Sequence, residues 1–459
     1  MGIYTYRQYQ NCLYLYYIRF PMKKILFTLL LMPCVLSAQN IITVAGSGNT
    51  TLGDNGPATN ANLKTFGQIA INSNGDIIIA ANNDQRIRKV DASTGIITTI
   101  GGTGVVGYSG DNGPATAAKF SWPNFVACDN SNNVYISDDS NRIRRIDVAS
   151  GIVTTIAGNG IPAFAGDGGP ATDASINRSE GITFDVEGNL FFVDDNNARV
   201  RKINTAGIIS TVAGNGTTGF SGDGGQATSA QIRPWSISFD NFGKLYIADD
   251  GVQVRKVDLN TGTITTVVGD GSGVYNGENI PATATGIRPV KVTFDINNRM
   301  FVSDGYSNRV RMVDSVGIIH TVAGTGISGF SGDGGPATAA QFYTPSGIEY
   351  YCGNIYIADA QNHRVRKIAY NISPDCPTLS ISNPVIESVF NVFPNPVTTN
   401  LTITSTNVIT NVSISNIIGQ TVYSNYYHRE EVQVNIADLP KGIYFIKVNG
   451  TEVRKFVKE

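Results

Sequence analysis

The chain has 459 residues, a formal net charge of −2 and a pI near 6.0. Only 15% of its residues are charged, and 50 are glycine. This composition favours many short strands joined by tight turns, and it excludes a long-helix protein or simple disorder. Because the net charge is close to zero, there is no global attraction to nucleic acid, and we predict no nucleic-acid partner.

The first residues have the pattern of a targeting segment. The run Met-Lys-Lys at 22–24 precedes an apolar run at 25–36, and Ser-Ala-Gln follows at 37–39. This order predicts a signal peptide over 22–38, at the end of an upstream segment 1–38. The apolar run is too short to favour a membrane-spanning helix, so we expect no transmembrane helix in the mature chain.

Cysteine usage is sparse. Removal of the signal peptide leaves Cys128, Cys352 and Cys376. In an exported protein, Cys352 and Cys376 could form a disulfide bond, with Cys128 left in a core strand. No two cysteines stand in a CxxC arrangement, so we predict no cysteine zinc site and assign no metal ligands.

One unit recurs six times over residues 41–370. Most copies contain the run Arg-[Ile/Val]-Arg-[Lys/Arg]-[Ile/Val], and its second arginine returns every 54 to 57 residues. These arginines are Arg88, Arg144, Arg201, Arg255, Arg311 and Arg366. A second motif, Gly-[Asp/Glu]-x-x-Pro-Ala-Thr, returns at similar spacing in most copies. Its acidic residues are Asp54, Asp111, Asp167, Asp223, Glu278 and Asp333.

Each repeat is predicted to form four short strands, A to D, because Val/Ile/Tyr/Phe-rich runs alternate with Asn/Gly/Asp turns. Four-stranded units of this length, repeated radially, predict an all-β fold, a six-bladed β-propeller. A lone strand D at 41–46 opens the series and a strand C at 364–368 ends it. We therefore expect the first strand to complete the last blade, which removes an open sheet edge.

The run Tyr-Ile-Ala-Asp-Ala-Gln-Asn-His-Arg-Val-Arg-Lys-Ile at 356–368 resembles an NHL repeat. The resemblance covers about residues 41–370 and implies an NHL-type β-propeller over 39–370. It is specific for the fold and weak for activity, because NHL propellers include scaffolds, receptors and a few lyases.

A second domain is predicted after a Pro/Ser/Asn-rich linker at 371–390. Alternating apolar and polar residues over 391–459 predict a small β-sandwich. Phe-Pro-Asn-Pro at 393–396, Gly-Gln-Thr-Val at 419–422 and the strand at 439–448 resemble the C-terminal sorting domain of the type IX secretion system. The resemblance implies that 391–459 engages that machinery and that the protein is secreted or reaches the outer-membrane surface.

The six loop carboxylates fall, by strand alternation, on the face of the disc with the long loops, which we expect to be the binding face. They could bind calcium, which takes six to eight oxygen ligands, or each could hold its own Gly-rich turn. Recurrence in every repeat favours the structural role, so no cofactor is predicted and Ca²⁺ stays an alternative. Acidic residues that end strand B are expected to hydrogen-bond the strand C arginines. They are Asp138, Asp194, Asp249, Asp304 and Asp359.

Variation between the repeats suggests a ligand site. Just before strand A the copies diverge; both tryptophans fall there, and three successive copies carry an arginine. Arginine binds carboxylate, phosphate or sulfate with a two-pronged geometry, and tryptophan stacks on sugars or apolar rings. The hypothetical site near the central channel consists of Trp122, Arg178, Glu180, Arg233, Trp235 and Arg288. Alternatively, these arginines pair with the loop carboxylates and the tryptophans fill gaps between blades.

Enzymatic chemistry has weaker support in the sequence. Of the three histidines, only His320 and His363 lie in the propeller region, too few for a three-histidine zinc site, and no P-loop or Gly-x-Ser-x-Gly motif stands out. We predict a binding module with an extracellular protein or glycan as ligand and no catalytic residue. The alternative, from fold analogy alone, is a carboxylate/Ca²⁺-dependent lyase or lactonase-type enzyme that uses the channel.

Overall fold

The computed structural model describes residues 39–47, 51–64, 66–249, 252–370, 390–416, 420–449 and 452–459. The predicted signal peptide, Cys376 and most of the predicted linker lie outside these residues. The chain divides into two compact units, one up to Pro377 and one from Thr378. Within the described residues, no helix has the length and apolar character needed to cross a membrane.

The first unit is built from short strands. In chain order they are β1 (Ile41–Ala45), β2 (Gly56–Pro57), β3 (Ile69–Ile71), β4 (Ile77–Ala81), β5 (Arg86–Val90), β6 (Ile96–Gly101), β7 (Gly113–Pro114), β8 (Phe125–Cys128), β9 (Val134–Asp138), β10 (Arg142–Ile146), β11 (Ile152–Ala157), β12 (Ser179–Phe184), β13 (Leu190–Asp194), β14 (Arg199–Ile203), β15 (Ile209–Ala213), β16 (Pro234–Phe239), β17 (Leu245–Asp249), β18 (Gln253–Asp258), β19 (Thr263–Val268), β20 (Ile280–Pro281), β21 (Pro289–Phe294), β22 (Met300–Asp304), β23 (Arg309–Val313), β24 (Ile318–Ala323), β25 (Pro345–Tyr351), β26 (Asn354–Asp359) and β27 (Arg364–Ala369). Single-turn 3₁₀ helices lie between them at Ala58–Asn60, Asn82–Asp84, Ala115–Ala117, Ala171–Asp173, Asp195–Asn197, Ala227–Ser229, Ala282–Ala284, Ala337–Ala339 and Ala360–Asn362.

These strands form six antiparallel sheets, which we number as blades in chain order. From the inner to the outer strand, blades 1 to 6 are β3-β4-β5-β6, β8-β9-β10-β11, β12-β13-β14-β15, β16-β17-β18-β19, β21-β22-β23-β24 and β25-β26-β27-β1. The two-residue strands β2, β7 and β20 extend the outer edges of blades 1, 2 and 5. The innermost strands contact one another in a closed circuit, with β25 against β3. The prediction of a six-bladed propeller is confirmed.

Ring closure depends on the first strand. β1 pairs with β27, with Ile41 opposite Ile368 and Ile42 opposite Lys367. Ile41 is fully buried in a core that it shares with Phe301 of blade 5 and with Phe342, which precedes β25. The predicted completion of the last blade by the first strand is therefore confirmed.

Strand B of each blade is buried on both faces, because it lies between two neighbouring blades. In β4, all five residues of Ile-Ile-Ile-Ala-Ala are buried. A strand covered on both sides needs a continuous apolar run rather than strict alternation. Strand C differs because its second arginine is also fully buried, as in β5 and β27, and this burial requires compensating partners.

The second unit consists of one sheet. Its strands are β28 (Phe390–Phe393), β29 (Asn400–Asn416), β30 (Thr421–Asn435), β31 (Gly442–Val448) and β32 (Glu452–Lys458). The long strand β29 pairs with β28, β30 and β31, and β31 pairs with β32. Phe390, Leu401, Ile414, Ile446 and Phe456 share one core. The domain predicted as a small β-sandwich is all-β as expected, and its strands join in one continuous sheet.

Candidate functional site

Each buried arginine of strand C contacts the loop carboxylate of its own repeat. Arg88 lies 2.8 Å from Asp54 and Arg201 lies 2.7 Å from Asp167, while both arginine side chains are inaccessible to solvent. The full set of pairs is Arg88–Asp54, Arg144–Asp111, Arg201–Asp167, Arg255–Asp223, Arg311–Glu278 and Arg366–Asp333. The long loop is thereby fastened over its own blade by an ion pair.

Donors from strand D also occupy these carboxylates. Asp167 accepts hydrogen bonds from both the backbone N–H (3.0 Å) and the Oγ1 (2.6 Å) of Thr211, in addition to Arg201. A carboxylate that already accepts several protein donors has little capacity left for a cation. Within the described residues, no cluster of three or more His, Cys, Asp or Glu could hold a metal ion. The loop acid therefore hydrogen-bonds to strands C and D of its blade, in addition to any stabilisation of its own turn.

The acids that end strand B make a second kind of contact. They accept hydrogen bonds from the backbone just before strand A: Asn177 donates to Asp194 at 2.8 Å and Tyr343 donates to Asp359 at 2.8 Å. Burial raises the pKa of Asp194 and Asp359 to about 6. An expected Asp–Arg hydrogen bond is present between Arg201 and Asp194 at 3.3 Å.

Three of the predicted site residues come together at the start of β12 and β16. Arg178 donates from Nε to Glu180 Oε1 at 2.8 Å, and its guanidinium lies 5.5 Å from the ring centroid of Trp235. Trp235 in turn packs edge-on against Phe125, with ring centroids 6.1 Å apart. We call Arg178, Glu180 and Trp235 the mouth cluster.

Glu180 is the most unusual member of the mouth cluster. Its side chain is inaccessible to solvent, and its Oε2 atom has no hydrogen-bond partner. Burial raises its pKa to about 8, although Arg178 acts in the opposite direction. Burial therefore favours the protonated form of this carboxyl group, which can donate a hydrogen bond.

Polar side chains connect the mouth cluster to blades 1 and 2. Asn124 lies 3.5 Å from Glu180 Oε1 through its Nδ2, and its Oδ1 accepts from Asn82 at 2.9 Å. On the other side, Arg178 Nη1 donates to Asp195 at 3.2 Å. Our sequence hypothesis did not include Asn124 or Asp195. Asn124 occupies the same repeat position as Glu180 and Trp235, so that comparison could have identified it.

The other three hypothesised residues lie just before the innermost strands of blades 2, 4 and 5. Trp122 is 43% exposed, and its backbone N–H donates to Gln85 Oε1 at 2.7 Å. Arg233 and Arg288 are exposed, and the Arg288 guanidinium lies 4.6 Å from the ring centroid of Tyr306. Direct contacts therefore connect three of the six hypothesised site residues, namely Arg178, Glu180 and Trp235.

A length difference between repeats explains this division. Arg178 follows the buried Ile176 by two residues, whereas Arg233 follows the equivalent Ile232 directly. Arg178 has a φ of 62°, and its N–H donates to Asn141 of the preceding blade. In the shorter blade 4, the Arg233 N–H instead takes over the bond to the strand B acid Asp249.

Comparison with known proteins identifies both units. Residues 391–459 match the model of the secretion system C-terminal sorting domain, and residues 162–221 match the teneurin NHL domain. Teneurin-1 of Homo sapiens is 27% identical over 381 residues, which cover 72% of this chain and 13% of that protein. NHL repeat-containing protein 2 of Gallus gallus is 27% identical over 343 residues, covering 65% and 46%. The chain is an NHL-repeat propeller with a C-terminal sorting domain.

Solved structures agree with this NHL fold. A protein of unknown function from Bacteroides thetaiotaomicron superposes with a TM-score of 0.54 at 19% identity, covering 72% of this chain and 76% of that one. An auxiliary nutrient binding protein from the same organism gives 0.53 at 18% identity, with the same coverage. At these identities the likeness concerns the fold alone. The NHL propeller spans less than half the length of each of the two curated relatives described above.

The sorting domain indicates where the protein is located. It directs export by the type IX secretion machinery, so the NHL propeller reaches the cell surface or the extracellular space. An oxidising location is compatible with the cysteines, because Cys352 takes part in a disulfide bond and Cys128 is free. The expected partner Cys376 lies outside the described residues, so the Cys352–Cys376 pairing remains a prediction.

Proposed function

We propose that this exported NHL propeller is a binding module whose ligand contacts the mouth cluster, and that the ligand is an extracellular glycan. The observation that carries the proposal is Glu180, a buried carboxyl group whose Oε2 lacks a protein partner. Leaving such an atom unpaired costs roughly 1–3 kcal/mol. Because the Glu180 side chain is inaccessible to solvent, a ligand hydroxyl can pair with it only when Arg178 moves aside, and that pairing recovers the energy.

The neighbours of Glu180 favour a sugar over other ligands. Trp235 is half-buried, and its indole offers a flat apolar surface of the kind that covers a sugar ring. Arg178, whose side chain is 39% exposed, supplies donors for hydroxyl or carboxylate oxygens. The exposed Arg233 and Arg288 extend the positive charge along the rim, which favours acidic glycans.

A solved structure with the same fold is described as an auxiliary nutrient binding protein. That description belongs to the other protein, and it is compatible with a binding role here. The proposal also keeps the predicted division into a propeller at 39–370, a linker at 371–390 and a sorting domain at 391–459. The carboxylate/Ca²⁺-dependent lyase or lactonase alternative would use acids that accept protein donors in this structure, as for Asp167.

The test is a glycan array on the full-length protein, followed by calorimetric titration of the best ligand. Glu180→Ala should weaken binding at least tenfold, whereas Glu180→Gln should retain it, because an amide still offers a neutral donor and acceptor. Glu187→Ala, in the exposed β12–β13 turn, is the matched control. Absence of any glycan ligand, or unchanged binding by Glu180→Ala, would contradict the proposal.

A further inference from the structure

A separate cavity of about 500 Å³ lies near the C-terminal ends of the innermost strands. Each blade contributes one residue at the same repeat position to its wall. These residues are Ala70, Ala127, Thr183, Ser238, Thr293 and Glu349. Five of the six are small, which leaves the middle of the disc open, and only blade 6 places a charge there.

The carboxylate of Glu349 forms an ion pair with a lysine of the neighbouring blade 5. Lys291 Nζ contacts Glu349 Oε1 at 2.5 Å and the backbone oxygen of Ile69 at 3.3 Å. The lysine side chain is 8% exposed and the glutamate side chain 24%. An ammonium group has three N–H donors, so one remains for another acceptor.

The rest of the cavity wall combines polar and apolar groups. Val126, Ile182 and Ile237 border the cavity from blades 2 to 4, but they are only 2%, 5% and 1% exposed because they pack in the cores between blades. Cys128 also lines the cavity, and burial raises the pKa of its thiol to about 12, so it is uncharged. Asp185 lies at the edge, but its two carboxylate oxygens are occupied by donors of Asn189 in the β12–β13 turn.

Stability alone does not account for the lysine–glutamate pair. Replacing a buried ion pair with apolar residues of similar volume is often neutral or stabilising. A channel lined with alanine and β-branched residues could be closed by larger apolar side chains, which would bury more surface. The chain instead keeps an open cavity with one positive and one negative group side by side.

We infer that this cavity is a second binding site, and that it takes a small zwitterion of the size of an amino acid or dipeptide. The ligand carboxylate would bind Lys291, its ammonium group would bind Glu349, and the rest of the ligand would lie against the small residues Ala70, Ala127 and Thr183. A ligand with a single charge would leave one unbalanced charge inside the protein, which is unfavourable. This inference does not depend on the glycan site.

The test is isothermal titration of the full-length protein with four probes. L-leucine and L-leucyl-L-leucine carry both charges, 4-methylpentanoate lacks the ammonium group, and 3-methylbutylamine lacks the carboxylate. We expect at least one zwitterion to bind and each singly charged analogue to bind at least tenfold more weakly. No binding of either zwitterion, or equal binding of an analogue, would overturn the inference.

Variants separate the charge effect from the cavity itself. Lys291→Met and Glu349→Gln should each weaken zwitterion binding at least tenfold. Ala127→Leu fills the cavity without touching the ion pair and should abolish binding, while an unchanged circular dichroism spectrum confirms its fold. Glu180→Gln, in the mouth cluster, should leave zwitterion binding unchanged. Full binding by Ala127→Leu, or by both charge variants, would refute the site.

Discussion

The carboxylate of Asp333 joins Arg366 to the strand that closes the propeller. Its Oδ1 accepts from Nε and Nη2 of the fully buried Arg366 in β27, at 3.0 and 2.6 Å. Its Oδ2 accepts from the backbone N–H and Oγ1 of Thr43 in β1, at 3.1 and 2.6 Å. One side chain thus holds both strands of the seam and the long loop between blades 5 and 6.

Replacement of Arg366 should destabilise the propeller strongly. We expect Arg366→Met to lower the free energy of unfolding by roughly 3–5 kcal/mol, because it breaks a buried pair. Arg145→Met is the matched control: this arginine also lies on strand C, but it is 34% exposed, and its loss should cost less than about 1 kcal/mol. The measurement is urea denaturation followed by tryptophan fluorescence. Equal midpoints for the two variants would contradict this interpretation.

Two neighbouring isoleucines test ring closure. Ile41 is fully buried and Ile42 is 42% exposed. Ile41→Asp places a charge inside the seam and should lower the thermal midpoint of the propeller by at least about 10 °C, whereas Ile42→Asp should change it little. Limited proteolysis should then cut β1 first in the Ile41→Asp variant. If both variants melt together with the parent, closure by β1 is not required for stability.

Glu180 should make stability depend on pH. Its pKa is about 8 in the folded protein and 4.5 as the ordinary value, so between these pH values the folded state retains a proton that the unfolded state loses. Stability contributed by this carboxyl therefore falls as pH rises through that window. Glu180→Gln does not titrate, so its stability relative to the parent should rise by up to roughly 1.4 kcal/mol per pH unit. Denaturation curves at pH 5, 6.5 and 8 measure the difference.

The exposed Glu187 provides the control for this pH series. Glu187→Gln makes the same substitution in the same blade at an exposed position, and its stability relative to the parent should stay constant over the range. A parallel rise in both variants would show that net charge, rather than burial of Glu180, causes the trend.

Gly181 allows β12 and β16 to approach closely. A Cβ atom at this position would lie 2.5 Å from the Cα of Ser236, so Gly181→Ala must push the strands apart at a cost of about 1–3 kcal/mol. The same shift should loosen the Trp235–Phe125 contact and move the tryptophan emission to longer wavelength. Gly169→Ala meets only one backbone oxygen at 3.4 Å and should leave both stability and emission unchanged.

The sequence predicted the architecture well because repetition carries it. The spacing of the buried arginines sets the blade count, and the lone apolar segment at 41–46 indicates the closure that pairs Ile41 with Ile368. The partners of the loop acids were harder to predict. Asp167 and Arg201 are 34 residues apart, and only the curvature of the loop over its own blade brings them together.

The site was predictable only in part, because one missing residue changes the direction of a side chain. Arg178 and Arg233 occupy equivalent positions when counted back from strand A, yet the residue before Arg178 makes the bond that Arg233 itself makes in blade 4. Lys291 had a visible signature, a lysine within the buried strand Pro289–Phe294. Its partner Glu349 lies 58 residues away, and pairing of that kind depends on the arrangement of blades.

The seam between β1 and β27 constrains how the protein can mature. The Gln39 side chain donates to the backbone oxygen of Tyr370, 331 residues further along, so the earliest strand has no partner until nearly the whole repeat series has been synthesised. Contacts of such long separation form late and slowly. We therefore expect β1 to remain unpaired during synthesis, when a chaperone can bind it. The propeller closes only after the final blade has folded and β1 has paired with β27.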